Sequence, residues 1–165
     1  MKNKLIILGI IFLAISVFYC RPLSRHNQVL TFKSLIEKGD VDGVSKMVKA
    51  APWLLTVPLE NDHRWNWKAF SIVVGRGQEA MASNLLVLGA DVNELDARHS
   101  TPLHYLASNY SDTNMIIFLL KHGADVSITN CKGETPFDIA VSLDKPDYIK
   151  GLLSTNKFHT TNLPN

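Results

Sequence analysis

Apolar residues recur along most of this chain at the spacing of short helices, and the helices come in pairs. Over residues 68–92 the pattern predicts one helix at 69–75 and a second at 79–88, with breaks at Gly77 and Gly89. Two further pairs follow along the chain. Their second helices are marked by these apolar residues: Met115, Ile116, Phe118, Leu119 and Leu120 in one, and Ile149, Leu152 and Leu153 in the other. The pattern therefore predicts an all-α fold.

Two motifs return after one and the same interval along the chain. Gly-Ala-Asp-Val at 89–92 returns at 123–126, and Thr-Pro-Leu-His at 101–104 returns as Thr-Pro-Phe-Asp at 135–138. Threonine caps a helix well, and proline suits the first position because it has no N–H to leave unsatisfied. Self-similarity at a fixed period indicates stacked units with a shared core. We place an extra residue of the middle unit between its two helices, near Ser111.

The amino-terminal part is a weaker copy of the same unit. Apolar residues at 30–36 predict a first helix, Gly39 and Asp40 a break, and apolar residues at 44–48 a second helix closed by Pro52. The outer face carries these charged residues: Lys33, Glu37, Lys38, Lys46 and Lys49. A polar outer face suits a terminal unit, which must keep the stack soluble.

These units resemble the ankyrin repeat, a loop followed by two antiparallel helices. The resemblance covers roughly residues 30–156 and is most specific at 101–107 and in the two Gly-Ala-Asp-Val segments. It is weaker at 68–71, where only the apolar third position is kept, and at Phe137 and Asp138, where Leu and His are usual. It implies an ankyrin-repeat solenoid of stacked helix-turn-helix units with hairpin-like loops.

The predicted domain boundaries follow from this alignment. Residues 1–20 form a leader, residues 21–29 a linker and residues 157–165 a tail. The repeat units are expected at 30–59, 60–92, 93–126 and 127–156. The resemblance also implies that His104 hydrogen-bonds neighbouring units together and that Asp91 and Asp125 brace loops.

The leader has the composition of an export signal. Lys2 and Lys4 precede an apolar run that ends at Cys20 and is shorter than the roughly 20 residues of a comfortable membrane span. Cys20 resembles the lipidated cysteine of a bacterial lipoprotein, with Val17 suitably placed, although Tyr19 stands where a small residue is usual. A cleaved soluble form, a form lipidated at Cys20 and a form anchored by an uncleaved leader remain alternatives. All three predict export to the periplasm or tethering in the cell envelope.

Charge argues against a nucleic-acid partner. The chain has 17 basic and 15 acidic residues, and the leader contains two of the basic ones and none of the acidic ones. The rest of the chain is therefore neutral and lacks the excess of basic residues that nucleic-acid binding requires. If Cys20 is removed or lipidated, Cys131 has no disulfide partner, since the chain has two cysteines.

No catalytic, cofactor or metal site is predicted. The sequence has no glycine-rich phosphate loop, Cys-x-x-Cys pair, His-Glu-x-x-His motif or nucleophile-elbow serine. His63 and His99 could lie on adjacent loops, but no third metal ligand follows at a clear spacing.

The predicted binding residues lie on the loop tips and at the ends of first helices, which in ankyrin stacks line a concave face. They are Arg64, Trp65, Trp67, Arg76, Arg98, Ser100, Asn109, Tyr110, Lys132 and Glu134. Trp, Tyr and Arg dominate interface hot spots. Alternation places Trp65 and Trp67 on one side of an extended segment, both exposed or both buried, and we favour exposure. A basic face on a neutral chain predicts a protein partner with an acidic, partly apolar surface.

The function expected from these features is non-catalytic protein binding in a bacterial envelope, and the bacterial assignment rests on the lipoprotein-like leader. The specific hypothesis is an immunity protein or inhibitor that binds a toxin or enzyme. An envelope scaffold or an accessory factor for an enzyme is the alternative. A host-directed secreted effector is less favoured, and an enzyme is the least favoured class.

Overall fold

The computed structural model describes residues 24–59, 66–109 and 112–154. Within these ranges the chain forms eight α-helices in four consecutive pairs, one 3₁₀ turn at Pro52–Leu55, and no strand. The helices are α1 (Arg25–Lys38), α2 (Val41–Ala50), α3 (Ala69–Gly75), α4 (Glu79–Val87), α5 (Pro102–Ser108), α6 (Thr113–Lys121), α7 (Pro136–Ser142) and α8 (Asp147–Leu153). The all-α repeat fold predicted from the sequence is confirmed.

Local capping explains where several helices begin and end. The Asp40 carboxylate accepts a hydrogen bond from the Gly43 N–H at 2.9 Å, at the start of α2. The Asp112 carboxylate accepts from the second and third N–H groups of α6, at 3.1 and 3.2 Å. Gly89 and Gly123 follow second helices with φ of 97° and 87°, a conformation that glycine adopts without steric cost. These residues mark the starts and ends of second helices within the units.

The period of the stack changes because one connection is longer than another. Residues 76–78 connect α3 to α4, whereas residues 109–112 connect α5 to α6 and residues 143–146 connect α7 to α8. The interval between first helices is therefore one residue longer from Pro102 to Pro136 than from Ala69 to Pro102. The extra residue lies between the helices of the third unit, as expected.

The amino-terminal unit differs in detail from the expectation. Helix α1 begins at Arg25, inside the segment 21–29 expected to be a linker, because the Ser24 hydroxyl accepts a hydrogen bond from the Asn27 N–H at 3.3 Å. Leu30, expected to be the first apolar residue of that helix, is exposed. Pro52 ends α2 as expected and also begins the 3₁₀ turn, which buries Leu54 and Leu55.

The units share one continuous core. First helices pack side by side in the order α1, α3, α5 and α7, while α2 packs on α4 and α6 packs on α8. The largest fully buried apolar side chains come from all four units: Phe32, Ile36, Leu54, Phe70, Leu85, Leu103, Met115, Ile116, Leu119, Ile149 and Leu153. In the described part of the chain, no helix is long and apolar enough to cross a membrane. The predicted leader, with Cys20, lies outside the described residues.

Candidate functional site

The loop between α4 and α5 is a tight hairpin built on Asp96. The Asp96 N–H donates to the Ser100 carbonyl at 3.0 Å, and one Asp96 carboxylate oxygen accepts from the N–H groups of Arg98 and Ser100, both at 2.8 Å. His99 forms the tip with a φ of 58°. One oxygen of this carboxylate is therefore engaged inside the hairpin, while the Arg98 and His99 side chains are exposed.

The loop between α6 and α7 repeats this hairpin with an amide in place of the acid. The Asn130 side-chain oxygen accepts from the N–H groups of Lys132 and Glu134, at 2.9 and 3.1 Å. The Cys131 N–H donates to the Arg98 carbonyl at 2.8 Å. That bond joins the two hairpins side by side, so Arg98 and Lys132 belong to adjacent tips.

Of the segment that precedes α3, the structure describes the two ends, up to Leu59 and from Asn66 onward. The Leu59 N–H donates to the Trp67 carbonyl at 2.8 Å, and Asn66 has a φ of 49°, equivalent to the tip of the next hairpin. Arg64 and Trp65 fall between these residues and lie outside the described residues. Their predicted role in binding stays a prediction.

His104 joins the third and fourth units through both nitrogens of its ring. The Nδ1 atom accepts from the Thr101 N–H at 3.1 Å, so the proton lies on Nε2, which donates to the Glu134 carbonyl at 3.0 Å. The Thr101 hydroxyl in turn accepts from the His104 N–H at 3.4 Å, which completes a capping box. This confirms the role that the family resemblance implies for His104.

Other buried and loop polar groups are also structural. One Glu94 carboxylate oxygen accepts from the Ser71 N–H at 2.9 Å and from the Ser71 hydroxyl. Burial raises the pKa of Glu94, against the lowering effect of these two hydrogen bonds. The Asp91 and Asp125 carboxylates each accept from the N–H two residues ahead, at 2.8 Å, and so brace their loops as expected.

A groove of about 250 Å³ runs between the hairpins and the first helices. Its apolar lining includes Trp67, Tyr105, Ile139 and Leu143. The rings of Trp67 and Tyr105 pack edge to face, with centroids 4.6 Å apart and planes at 85°. Leu143 is 52% exposed at the end of α7. The groove therefore contains the Trp67–Tyr105 aromatic pair and, at Leu143, an exposed aliphatic side chain.

Half of the predicted binding residues line this groove. They are Trp67, Arg98, Ser100, Lys132 and Glu134. Trp67 is half-buried and packs against the core, so the interpretation that it is simply exposed is wrong. The packing of its ring on Tyr105 explains the difference, because a tryptophan ring in edge-to-face contact with a helix residue loses part of its accessible surface.

Two other predicted residues lie in a neighbouring recess that shares Tyr105 with the groove. Arg76 and Asn109 line it, in a volume of about 240 Å³. The Arg76 guanidinium lies 3.9 Å from the Glu37 carboxylate, and the Asn109 carbonyl accepts from the Lys145 ammonium. Tyr110 lies outside the described residues.

Several residues that line the groove are absent from the predicted binding residues. Tyr105 and Ile139 lie on first helices, where the repeat pattern assigns apolar residues to the core, and Leu143 directly follows α7. For two of these residues the spacing is a signal that could have identified them, because Tyr105 and Ile139 are separated by the same interval as the two Thr-Pro motifs and occupy equivalent positions. Within the described residues, no group of three or more His, Cys, Asp or Glu side chains could hold a metal ion.

We expect His104→Asn to lower the free energy of unfolding near neutral pH by about 1–3 kcal/mol, because an amide cannot bridge Thr101 and Glu134 and leaves a buried polar group without its partner. Burial lowers the pKa of His104, although the hydrogen bond to the Glu134 carbonyl and the nearby carboxylates raise it. Because the pKa is lower in the folded chain, the unfolded chain binds more protons at this histidine than the folded chain does once the pH falls below the ordinary pKa of 6.5. The stabilisation from His104 is therefore complete above that pH and is lost below it.

Urea denaturation of wild type and variant at about pH 7.5 and about pH 5 measures this effect. The difference in unfolding free energy should be largest at the higher pH. Glu94 titrates in both proteins, so its opposite pH dependence cancels in the difference. A difference that grows on acidification would contradict the neutral, bridging imidazole.

Known proteins resemble both the sequence and the fold of this chain. A family model described as "Ankyrin repeats (3 copies)" matches residues 70–162. Human "Protein phosphatase 1 regulatory subunit 27" is 31% identical over 129 residues, which cover 78% of this chain and 77% of that protein. Mouse "Ankyrin repeat and SOCS box protein 16" is 37% identical over 75 residues, 44% of this chain.

Several relatives are much longer than the region they share with this chain. The chain spans 16% of the length of the mouse protein and 11% of that of the fowlpox virus protein "Putative ankyrin repeat protein FPV244". The ankyrin repeat domain of Bcl-3 has a similar fold, with a TM-score of 0.61 at 21% identity over 73% of this chain and 49% of that one. The repeated motifs, the stacked helix pairs and these matches together show that the chain belongs to the ankyrin-repeat family.

Proposed function

We propose that this chain is a non-catalytic protein-binding module whose partner contacts the groove between the hairpin tips and the first helices. The observation that carries the proposal is the combination of accessible apolar surface at Leu143 and the Trp67–Tyr105 pair with polar hairpin tips on the same groove. Aromatic residues and arginine are the types enriched at interface hot spots. The ankyrin-repeat family and fold are typically interaction modules, which agrees with this assignment.

The partner and the location form the finer part of the proposal. The apolar leader with Lys2 and Lys4 supports export to the periplasm or tethering in the cell envelope, with Cys20 as the residue available for lipidation. In that setting the chain acts as an immunity protein or inhibitor that binds a toxin or enzyme. The partner surface is acidic and partly apolar, to match the exposed Arg98 and Lys132 and the apolar groove lining.

A second candidate function is regulation of an enzyme made by the same cell. One observation favours it: the relative of which this chain covers 77% is named as a regulatory subunit of a protein phosphatase. The same groove serves both candidates. They differ in the captured partner, which is a foreign or self-directed toxin in the first and a resident enzyme in the second.

Affinity capture with matched variants tests the groove as the binding site. Leu143→Glu places a charge on the apolar groove lining and should abolish capture of the partner retained by the wild-type chain. Val87→Glu makes the same kind of change on α4, outside the groove, where Val87 is 84% exposed, and should leave capture intact. Both sites are exposed, so both variants should keep the wild-type circular dichroism. If Leu143→Glu and Val87→Glu capture the partner equally, the groove is not the binding site.

A further inference from the structure

Tyr105 belongs to both concave parts of the surface. It lines the groove of about 250 Å³ and also the neighbouring recess of about 240 Å³. In the groove its ring contacts the ring of Trp67, with the centroids 4.6 Å apart. The Tyr105 side chain is therefore the boundary that the groove and the recess share.

A glycine allows the ring to occupy this position. A Cβ atom on Gly75, the last residue of α3, would lie 3.0 Å from Cε1 of Tyr105 and 3.5 Å from its hydroxyl oxygen. The shorter of these distances is below the roughly 3.5–4.0 Å of an optimal carbon–carbon contact. One unit further along the chain, the equivalent pair is Ser108 and Ile139, so the larger side chain faces the smaller residue. The close approach of Tyr105 to α3 therefore depends on the missing side chain of Gly75.

The hydroxyl group of Tyr105 lies at the recess and is available to a partner. Gly75, which it approaches, lines the recess and does not line the groove. The hydroxyl makes no hydrogen bond to any residue that the structure describes, and it is not buried. A tyrosine with a packed ring and an accessible hydroxyl combines apolar contact with hydrogen bonding, as tyrosines at protein interfaces do.

The recess contains polar groups of both signs. Arg76 and Asp112 both line it. The Arg76 guanidinium lies 3.9 Å from the Glu37 carboxylate, and one Asp112 carboxylate oxygen accepts from two N–H groups of α6. Such a recess does not select one sign of charge. It favours a neutral side chain that both donates and accepts hydrogen bonds, as those of Asn, Gln, Ser and Thr do.

We infer that Tyr105, positioned by Gly75, divides the partner-binding surface into two subsites and determines its specificity. An apolar side chain of the partner lies in the groove, against the Trp67–Tyr105 pair. A neutral hydrogen-bonding side chain lies in the recess and binds the Tyr105 hydroxyl. Alternate residues of an extended segment point to the same side about 6–7 Å apart, so two of them fit on either side of one aromatic ring. This inference rests on the proposed function and specifies the chemistry of the partner.

A displayed library of random short peptides, selected on the immobilised full chain, tests this chemistry. The selected peptides should carry Asn, Gln, Ser or Thr two positions from an aliphatic or aromatic residue. Tyr105→Phe keeps the ring and removes one hydrogen bond, so it should weaken the best such peptide about three- to tenfold. Replacing the polar residue of that peptide by alanine should then cause little further loss in Tyr105→Phe, because both changes remove the same bond.

Two glycine substitutions test whether Gly75 positions the ring. Gly75→Val should weaken the peptide about tenfold and alter the near-ultraviolet circular dichroism, because the added side chain displaces the aromatic pair. The matched control is Gly151→Val in α8, where a Cβ atom would have no other atom within 4 Å. It introduces the same β-branched residue into a helix and should leave both measurements unchanged.

The outcomes separate this inference from the proposed function. Leu143→Glu should abolish peptide binding that Val87→Glu retains, which places the peptides in the groove. Groove-binding peptides whose affinity is unchanged by Tyr105→Phe, or equal for the two glycine variants, would overturn the inference and leave the binding function standing. Peptides that bind both Glu variants equally, or a selection that enriches none, would contradict both.

Discussion

Phe70→Ala is expected to lower the free energy of unfolding by about 3–5 kcal/mol, the largest stability effect that we predict for a single substitution. Phe70 is fully buried in α3, an inner first helix that packs on both α1 and α5. Its removal leaves a cavity that a stack with neighbours on both sides cannot close. Urea denaturation followed by circular dichroism measures the loss.

Phe137 provides a matched control for this prediction. It occupies the equivalent position in α7, where it follows proline as Phe70 follows alanine, but it is half-buried in the last described unit. Phe137→Ala should therefore cost less than half as much as Phe70→Ala. Equal losses for the two variants would contradict the description of the stack as a shared core with its buried centre at the inner units.

Trp67→Ala is expected to weaken partner binding by about 2 kcal/mol or more, which corresponds to about a thirtyfold loss of affinity. The substitution removes one of the two aromatic rings that pack together in the groove. It should also lower stability, since the ring packs edge to face on Tyr105 at 4.6 Å. Surface plasmon resonance with the captured partner measures the affinity. Trp67→Phe, which keeps an aromatic ring at this position, should retain most of the binding.

Trp53 separates lost binding from lost stability. Trp53 is also half-buried and packs against the core, but it lies in the 3₁₀ turn, outside the groove. The Arg25 guanidinium lies 5.3 Å from the centroid of its ring. Trp53→Ala should destabilise the chain while the folded fraction binds normally. If both tryptophan variants lose affinity in proportion to their stability, Trp67 supports the fold without contacting the partner.

The repeated motifs predict most of the fold because each one has a local physical cause. The predicted helix at 69–75 matches α3, and the one at 79–88 differs from α4 by one residue at its end. Proline, glycine and capping side chains act within a few residues, so sequence alone locates them. Helix α1 starts earlier than its apolar pattern, because the Ser24 cap and a polar first turn leave no apolar periodicity to detect.

The candidate site is less predictable because it depends on contacts between units. The tips at Arg98 and Lys132 could be predicted from their register. The half-burial of Trp67 could not, since it arises from packing on Tyr105, which belongs to the next unit of the stack. Likewise, the repeat does not predict Leu143 as an apolar groove residue, because the equivalent position one unit earlier holds the polar Asn109.

Hydrogen exchange of the full chain, with and without its captured partner, tests the central claim most directly. We predict that the partner slows exchange of backbone amides in the hairpins at 96–100 and 130–134 and at the end of α7, around Leu143. Amides of α4 and α6, which lie outside the groove, should exchange at the same rates in both states. Slowed exchange confined to α4 and α6, with unchanged hairpins, would contradict the groove as the binding surface.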